Sequence, residues 1–404
     1  MELPLVTLAD VQAARVLLGD VARVTPLEGS RALGDRVGGP VWLKCENLQR
    51  TGSFKIRGAY VRIARLTSAE RSHGVVAASA GNHAQGVALA ASLLGCSATV
   101  FMPAAAPLPK VAATKAYGAS VRLEGANVEE ALAAAARYSE ETGAVLIHPF
   151  DHADVIAGQG TVGLEILEQC PEVRTIVVCT GGGGLVSGIA AAVKGLRPDV
   201  HVVAAQASGA AAFPLSLEAG KPTRLDAMAT MADGIAVGLP GELTFCHVRD
   251  LVDRVVTVDD DALSRALLLS LERAKLVIEP AGAAGLAAVM EDPSAFEPPV
   301  VVVLSGGNID PLLLSKVIRH GLIAAGRFLS LRVRIPDQPG ELARLLGVLA
   351  SSSANVLDVE HQRTGRNLHL DEVEVELQLE TRGSDHSDRV VSALREAGYP
   401  VALG

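Results

Sequence analysis

Aromatic residues are scarce in this chain: Phe, Tyr and Trp together supply 3% of its 404 positions, with a single tryptophan. A core so short of rings must be filled by small and branched side chains, which favours helices packed closely on a parallel sheet. Long basic runs are also missing, and the formal net charge is −9. Both argue against a nucleic-acid partner, because phosphate backbones are held by clustered Lys and Arg. No apolar run approaches the roughly 18 residues that span a bilayer, so no membrane association is expected. "MELPLVTLAD" lacks the basic start and apolar core of a secretion signal. Five cysteines (Cys45, Cys96, Cys170, Cys179, Cys246) form no C-x-x-C pair and read as reduced thiols of a cytoplasmic protein.

What the chain has is apolar substance, 49% of its residues, arranged in a regular alternation. Between residues 40 and 325 short β-branched runs ("VWLKCE", "GVVAAS", "ATVFMP", "SVRLEG", "AVLIHPF", "TIVVCT", "HVVAAQ", "RVVTV", "VVVVLS") are separated by Ala/Leu-rich stretches of helical length. That order predicts an α/β fold of βαβ units on mostly parallel sheets. Beyond about residue 327 the texture changes to period-2 strands ("FLSLRVRIP", "ANVLDVEHQR", "DEVEVELQLE", "YPVALG") and two helical segments. The order β-α-β-β-α-β is that of a ferredoxin-like unit. The expected division is a catalytic domain over 1–325, with a smaller subdomain at about 40–147, and a separate unit over 328–404.

The strongest local signal is "TIVVCTGGGGLVSGIAAA", an apolar strand running into Gly181, Gly182, Gly183 and Gly184 and then a helix. Such a loop aims several N–H groups at one point, a natural cradle for phosphate. It is not a P-loop, because no Lys-Ser/Thr follows, and G-x-G-x-x-G spacing fails at Val186 and Ser187. The next strand ends in Gln206 rather than an acidic ribose ligand, so ATP and NAD both lose ground. A tight turn without a ligand stays open on this stretch alone. Two further strand ends share a form, Ser79-Ala80-Gly81-Asn82 and Ser305-Gly306-Gly307-Asn308, and ligands of open α/β sheets sit at such ends. Lys55, between Phe54 and Ile56 in "TGSFKIRGAY", is set where burial would lower its pKa and make it a nucleophile. A phosphate cradle, a lysine for a Schiff base, and hydroxyl and amide groups for a ring together suit pyridoxal phosphate.

"SFKIRGA", "SAGNHAQG", "GGGGL" and "SGGN" stand in the order and spacing of the threonine and serine dehydratases, and over residues 10 to 325 the chain resembles that family. The resemblance implies a fold-type II pyridoxal-phosphate enzyme, like the tryptophan synthase β subunit, with two open parallel-sheet subdomains. "IPDQPGELARLL" resembles an ACT domain, a small regulatory module that binds amino acids. By this likeness Lys55 would carry the cofactor and act as the base at Cα. Phe54 would pack on the ring, and Asn82 would bond its phenolic oxygen. The amides of Gly181 to Leu185 would hold the phosphate, and Ser305 would face the pyridine nitrogen. The turn Ser79, Ala80, Gly81, Asn82 and His83 would bind the substrate carboxylate. The reaction implied is β-elimination from L-threonine to 2-oxobutanoate and ammonia, the first step of isoleucine synthesis. A serine dehydratase or a degradative enzyme is the alternative.

Serine racemases of the family carry a serine where Ala80 stands, and alanine has no proton to exchange, so racemisation is disfavoured. Those racemases also bind a divalent cation through carboxylates where this chain has Gln206 and Ala212, so no divalent metal site is expected; a monovalent ion stays open. His148 and His152 are separated by Pro149 and do not read as a zinc pair. Glu279 in "IEPAGAAG" reads equally as structural or site-lining. The ACT resemblance implies an isoleucine or valine effector and a homo-oligomer, dimer or tetramer.

Overall fold

The computed structural model describes residues 3–363 and 368–403. It divides into two compact units, one ending at Pro311 and one starting at Leu312. In chain order the strands of the first unit are β1 (Leu27–Gly29), β2 (Val41–Lys44), β3 (Val75–Ala78), β4 (Ala98–Met102), β5 (Ser120–Leu123), β6 (Val145–Leu146), β7 (Thr175–Cys179), β8 (His201–Ala207), β9 (Arg254–Val258) and β10 (Val300–Val303). Each run expected to be a strand is one. β1 was not foreseen; it is three residues long and pairs antiparallel with β2 at the sheet edge, too short to show a period.

These strands form two sheets. The larger has the order β1-β2-β10-β7-β8-β9, the smaller β5-β4-β3-β6. Apart from β1 all their pairings are parallel. β2 lies in the large sheet, so the small one draws its strands from residues 75–146. The central strands β7 and β10 are buried along their whole length, as their unbroken apolar runs require when helices cover both faces. The architecture is the α/β, fold-type II arrangement of two parallel-sheet subdomains. Three strand ends matter below: β3 leads into Ser79, β7 into Thr180 and the glycines, and β10 into Leu304 and Ser305.

The helix Pro311–Ala324, all but its first residue in the second unit, precedes β11 (Phe328–Pro336), β12 (Asn355–Gln362), β13 (Glu372–Glu380) and β14 (Val401–Leu403). They form an antiparallel sheet of order β12-β13-β11-β14, with the helices Glu341–Ser351 and Ser384–Glu396 in between in sequence. This is the ferredoxin-like order expected of an ACT-like domain; Gly404, the end of the last expected strand, lies outside the described residues. Val373, Val375, Leu377 and Leu379 of β13 point into the core, while Glu374 and Glu376 alternate outward opposite Arg334 and Arg332 of β11. The acidic run is thus the solvated face of an alternating strand. No helix among the described residues is long and apolar enough to cross a membrane.

Candidate active site

Lys55 opens the helix Lys55–Ala64, directly after Phe54 at its N-cap. Its Nζ donates to the carbonyl of Pro149 at 2.9 Å and lies 5.1 Å from the centre of the Phe54 ring. Burial lowers its pKa to about 8, with Glu279 pulling the other way. Relative to an ordinary lysine, the neutral amine at pH 7 is enriched a few hundredfold. A helix N-terminus also disfavours the ammonium, since its free N–H groups already present positive charge.

The glycine loop meets Lys55 through Pro149 and Phe150. A Cβ on Gly182 would fall on the Phe150 ring, and one on Gly184 would come within 2.9 Å of Phe150 Cβ. Gly183 takes φ +93° as the N-cap of the helix Gly184–Leu196, and a Cβ there would meet Phe213 at 2.7 Å. Close packing alone would therefore account for the four glycines. What distinguishes a ligand cradle from a tight turn is the fate of the donors. The N–H groups of Gly181, Gly182, Gly183, Gly184 and Leu185 have no acceptor among the described residues, although Gly182 to Leu185 are buried. Buried unpaired amides are costly and rare, and converged at a helix N-terminus they suit a phosphate. The loop fits a phosphorylated cofactor.

The third element is the meeting of the two Ser-x-Gly-Asn turns. Asn82 begins the helix Asn82–Leu93; its Nδ2 donates to Glu279 Oε1 at 2.5 Å, and its Oδ1 accepts from Asn308 Nδ2 at 2.8 Å. Ser305 is buried at the end of β10, and its carbonyl accepts from the Phe54 amide at 3.2 Å. Phe54, Lys55, Asn82, the glycine loop and Ser305 are thereby joined through a continuous set of contacts. In the turn from Ser79 to His83, the Gly81 amide donates to Ser79 Oγ at 3.1 Å. The N–H groups of Ala80, Asn82 and His83 have no acceptor among the described residues. The His83 ring is turned inward, its Nε2–H donating to the Ile147 carbonyl at 2.8 Å. Burial, helped by Lys55, lowers its pKa to about 3 and keeps it neutral.

Glu279, ambiguous in the sequence, is a buried site group. Burial pushes its pKa up to about 7, with the Asn82 hydrogen bond opposing. His148 Nδ1 accepts from the amides of Phe150 and Asp151, and His152 Nδ1 caps the helix Ala153–Gln169. Both histidines shape the Pro149–Phe150 segment.

The sequence reading missed a buried charge cluster behind Lys55. Arg57 Nε and Nη2 each reach Glu46 at 2.8 Å, its Nη1 reaches Glu165 at 2.6 Å and Thr161 at 3.1 Å, and Nη2 also reaches Glu165 at 3.0 Å. Lys44 Nζ donates to Glu165, Gln169 and the Thr25 carbonyl at 2.6–2.9 Å. Burial alone would raise the Glu46 carboxyl; Arg57 and Lys44 outweigh it and hold it below the usual range. The partners are far apart in sequence, so only the presence of Arg57 inside "SFKIRGA" hinted at them.

A lysine of lowered pKa, an amide-lined anion cradle and polar groups for a ring, at the strand ends of an α/β fold, define an enzyme that works through a phosphorylated carbonyl cofactor. The family model of pyridoxal-phosphate dependent enzymes matches residues 19–306. The chain is 46% identical to the L-threonine ammonia-lyase of Thermotoga maritima over 99% of its own length and 100% of that protein. It is 42% identical to a catabolic L-threonine dehydratase of Staphylococcus aureus, over 79% of this chain and 93% of the other. Among solved structures, the processed form of threonine deaminase isoform 2 from Solanum lycopersicum matches with a TM-score of 0.75 at 39% identity, covering 78% of this chain and 92% of that one. The chain belongs to the pyridoxal-phosphate dependent enzymes and is a lyase.

Proposed function

We propose that the protein removes water and then ammonia from L-threonine, yielding 2-oxobutanoate. The observation that carries the reading is Lys55, with its pKa lowered to about 8, joined through Pro149 and Phe150 to the unpaired amides of Gly181 to Leu185. The similarity to L-threonine ammonia-lyase over nearly the whole chain supports threonine as the substrate.

When bound, pyridoxal phosphate supplies an electron sink conjugated to the substrate Cα. Its phosphate would rest on the Gly181–Leu185 amides, Phe54 and Asn82 would hold the ring and its oxygen, and Ser305 would face the ring nitrogen. A serine hydroxyl does not enforce a charge on that nitrogen as a carboxylate would, which favours prompt loss of a β-substituent. The free amides of Ala80, Asn82 and His83 receive the substrate carboxylate at a helix N-terminus, where the dipole favours an anion. Lys55 Nζ takes the Cα proton, and its uncharged fraction makes it an effective base near neutral pH. The β-hydroxyl leaves, and the released enamine tautomerises and is hydrolysed in water. Ala80 offers no proton to the opposite face, so the product is the oxo acid rather than the other enantiomer.

A biosynthetic role, with the C-terminal ACT-like unit sensing isoleucine or valine in a dimer or tetramer, is our first reading. The similarity to a catabolic dehydratase favours a degradative role as the second, and serine, one methyl smaller, is the competing substrate. The test is 2-oxo acid release by the cofactor-loaded protein from L-threonine and from L-serine, each with and without isoleucine. Rapid threonine turnover inhibited by isoleucine is expected. Turnover without inhibition selects the degradative role, and no product from either amino acid refutes the reaction.

A further inference from the structure

The Asn82 side chain has two nearly isosteric ends, an acceptor oxygen and a donor nitrogen. Which end faces a ligand is not set by shape, so it has to be set by neighbours. Asn308 Nδ2 carries two hydrogens and both are spent, one on the Thr51 carbonyl at 2.6 Å and one on Asn82 Oδ1 at 2.8 Å. On the other side Asn82 Nδ2 gives one hydrogen to Glu279 Oε1 at 2.5 Å. Turning the Asn82 amide over would set N–H against N–H at Asn308 and, with Glu279 ionised, oxygen against oxygen at Glu279; the Asn308 contact is the one that holds in either protonation state of Glu279. The turn that bears Asn308 is itself stitched to the segment that carries Lys55. Gly307 N donates to the Gly52 carbonyl at 2.9 Å, Phe54 N to the Ser305 carbonyl at 3.2 Å, and Ser53 bridges Gly306. A Cβ on Gly306 would crowd both Glu279 Oε1 and Asn82 Nδ2, so the approach of the three side chains depends on that glycine.

We propose that Asn308 is a positioning residue that locks the Asn82 amide in one orientation, so that its remaining N–H is presented to the oxygen of the cofactor ring. The proposal rests on the reading of Asn82 as a ring contact. An anionic ring oxygen requires a donor, and the lock removes the competing acceptor-forward state. An aspartate at 308 would bring an acceptor where a donor is needed, at nearly unchanged size, and would favour the reversed amide.

The test compares the cofactor-loaded wild type with Asn308→Asp, Asn82→Ala and the double variant. The readouts are pyridoxal-phosphate affinity, the pH midpoint of the bound cofactor's visible absorption, and melting temperature. Asn308→Asp is expected to weaken cofactor binding about tenfold to a hundredfold, the worth of one hydrogen bond to a charged group. Its absorption midpoint should move in the same direction as that of Asn82→Ala. In the Asn82→Ala background the 308 substitution should add no further change in either quantity. Additive losses, or a wild-type affinity and midpoint in Asn308→Asp, would overturn the proposal by showing that Asn308 acts on its own or only through stability. Should Asn308→Asp not fold, Asn308→Ala supplies the same cycle, since it also removes the donor. An Asn82→Ala protein with an unchanged spectrum and affinity would refute the ring contact itself, and the lock with it.

Discussion

The buried cluster behind Lys55 yields the sharpest test of the energetics. Lys44 and Arg57 face Glu46 and Glu165, all essentially out of water, with every hydrogen of Lys44 Nζ engaged. Glu165→Gln keeps the size of the side chain and one acceptor for Arg57 but leaves two cations facing one anion. Removing one partner of a buried pair costs about 3–5 kcal/mol, because the remaining charge is neither solvated nor balanced. Adding Lys44→Met restores neutrality, since the two-pronged Arg57–Glu46 pair at 2.8 Å survives. The double variant is therefore expected to be more stable than Glu165→Gln alone, with a coupling of about 2 kcal/mol in its favour. The assay is thermal and urea unfolding of the full chain with saturating cofactor, followed by circular dichroism. At about 1.5 °C per kcal/mol for a cooperative unit that runs to Pro311, the single substitution should lower the midpoint by roughly 5–8 °C. If the double variant loses the sum of the two single losses, or if Glu165→Gln costs under about 1 kcal/mol, the account of a charge-balanced cluster is wrong.

Further outcomes can be measured directly. Lys55→Ala should fold and release no 2-oxo acid from L-threonine above the uncatalysed rate, as normal turnover would remove Lys55 from the reaction. Gly183→Ala forces a side chain into φ +93° and against Phe213, so a loss of about 1–2 kcal/mol and much weaker cofactor binding are expected; titration with pyridoxal phosphate checks this. For cofactor-free protein the raised pKa of Glu279, from 4.5 to about 7, contributes stability that is fully present below pH 4.5 and lost as pH rises through 7. The contribution is about 3 kcal/mol, and Glu279→Gln should flatten the urea midpoint between pH 5 and 7.5. An unchanged pH slope in that variant would contradict the assignment.

Much of this molecule is written locally. The central strands β7 and β10 are recognisable as unbroken apolar runs because their partners on both faces are helices, and β13 as an alternating one because only one of its faces is covered. The glycine loop and the setting of Lys55 were legible for a similar reason: a left-handed N-cap and a lysine among apolar neighbours are demands on residue type at one place in the chain. Residues 41–44 looked like any other strand, and only the pairing with β10 assigns them to the large sheet. The charge cluster was invisible because its members lie up to 121 positions apart, and nothing in an isolated Lys, Glu or Arg reveals whether burial or water will surround it. Glu279 stayed ambiguous until Asn82 and Gly306 were placed beside it. Sequence by itself determined which backbone shapes and side-chain chemistries were available. Tertiary structure decided which of them meet, and with that which amides go unpaired, which carboxyl is pushed toward neutrality and which amine has its pKa lowered, because desolvation and hydrogen bonding depend on neighbours that the chain brings together only when it folds.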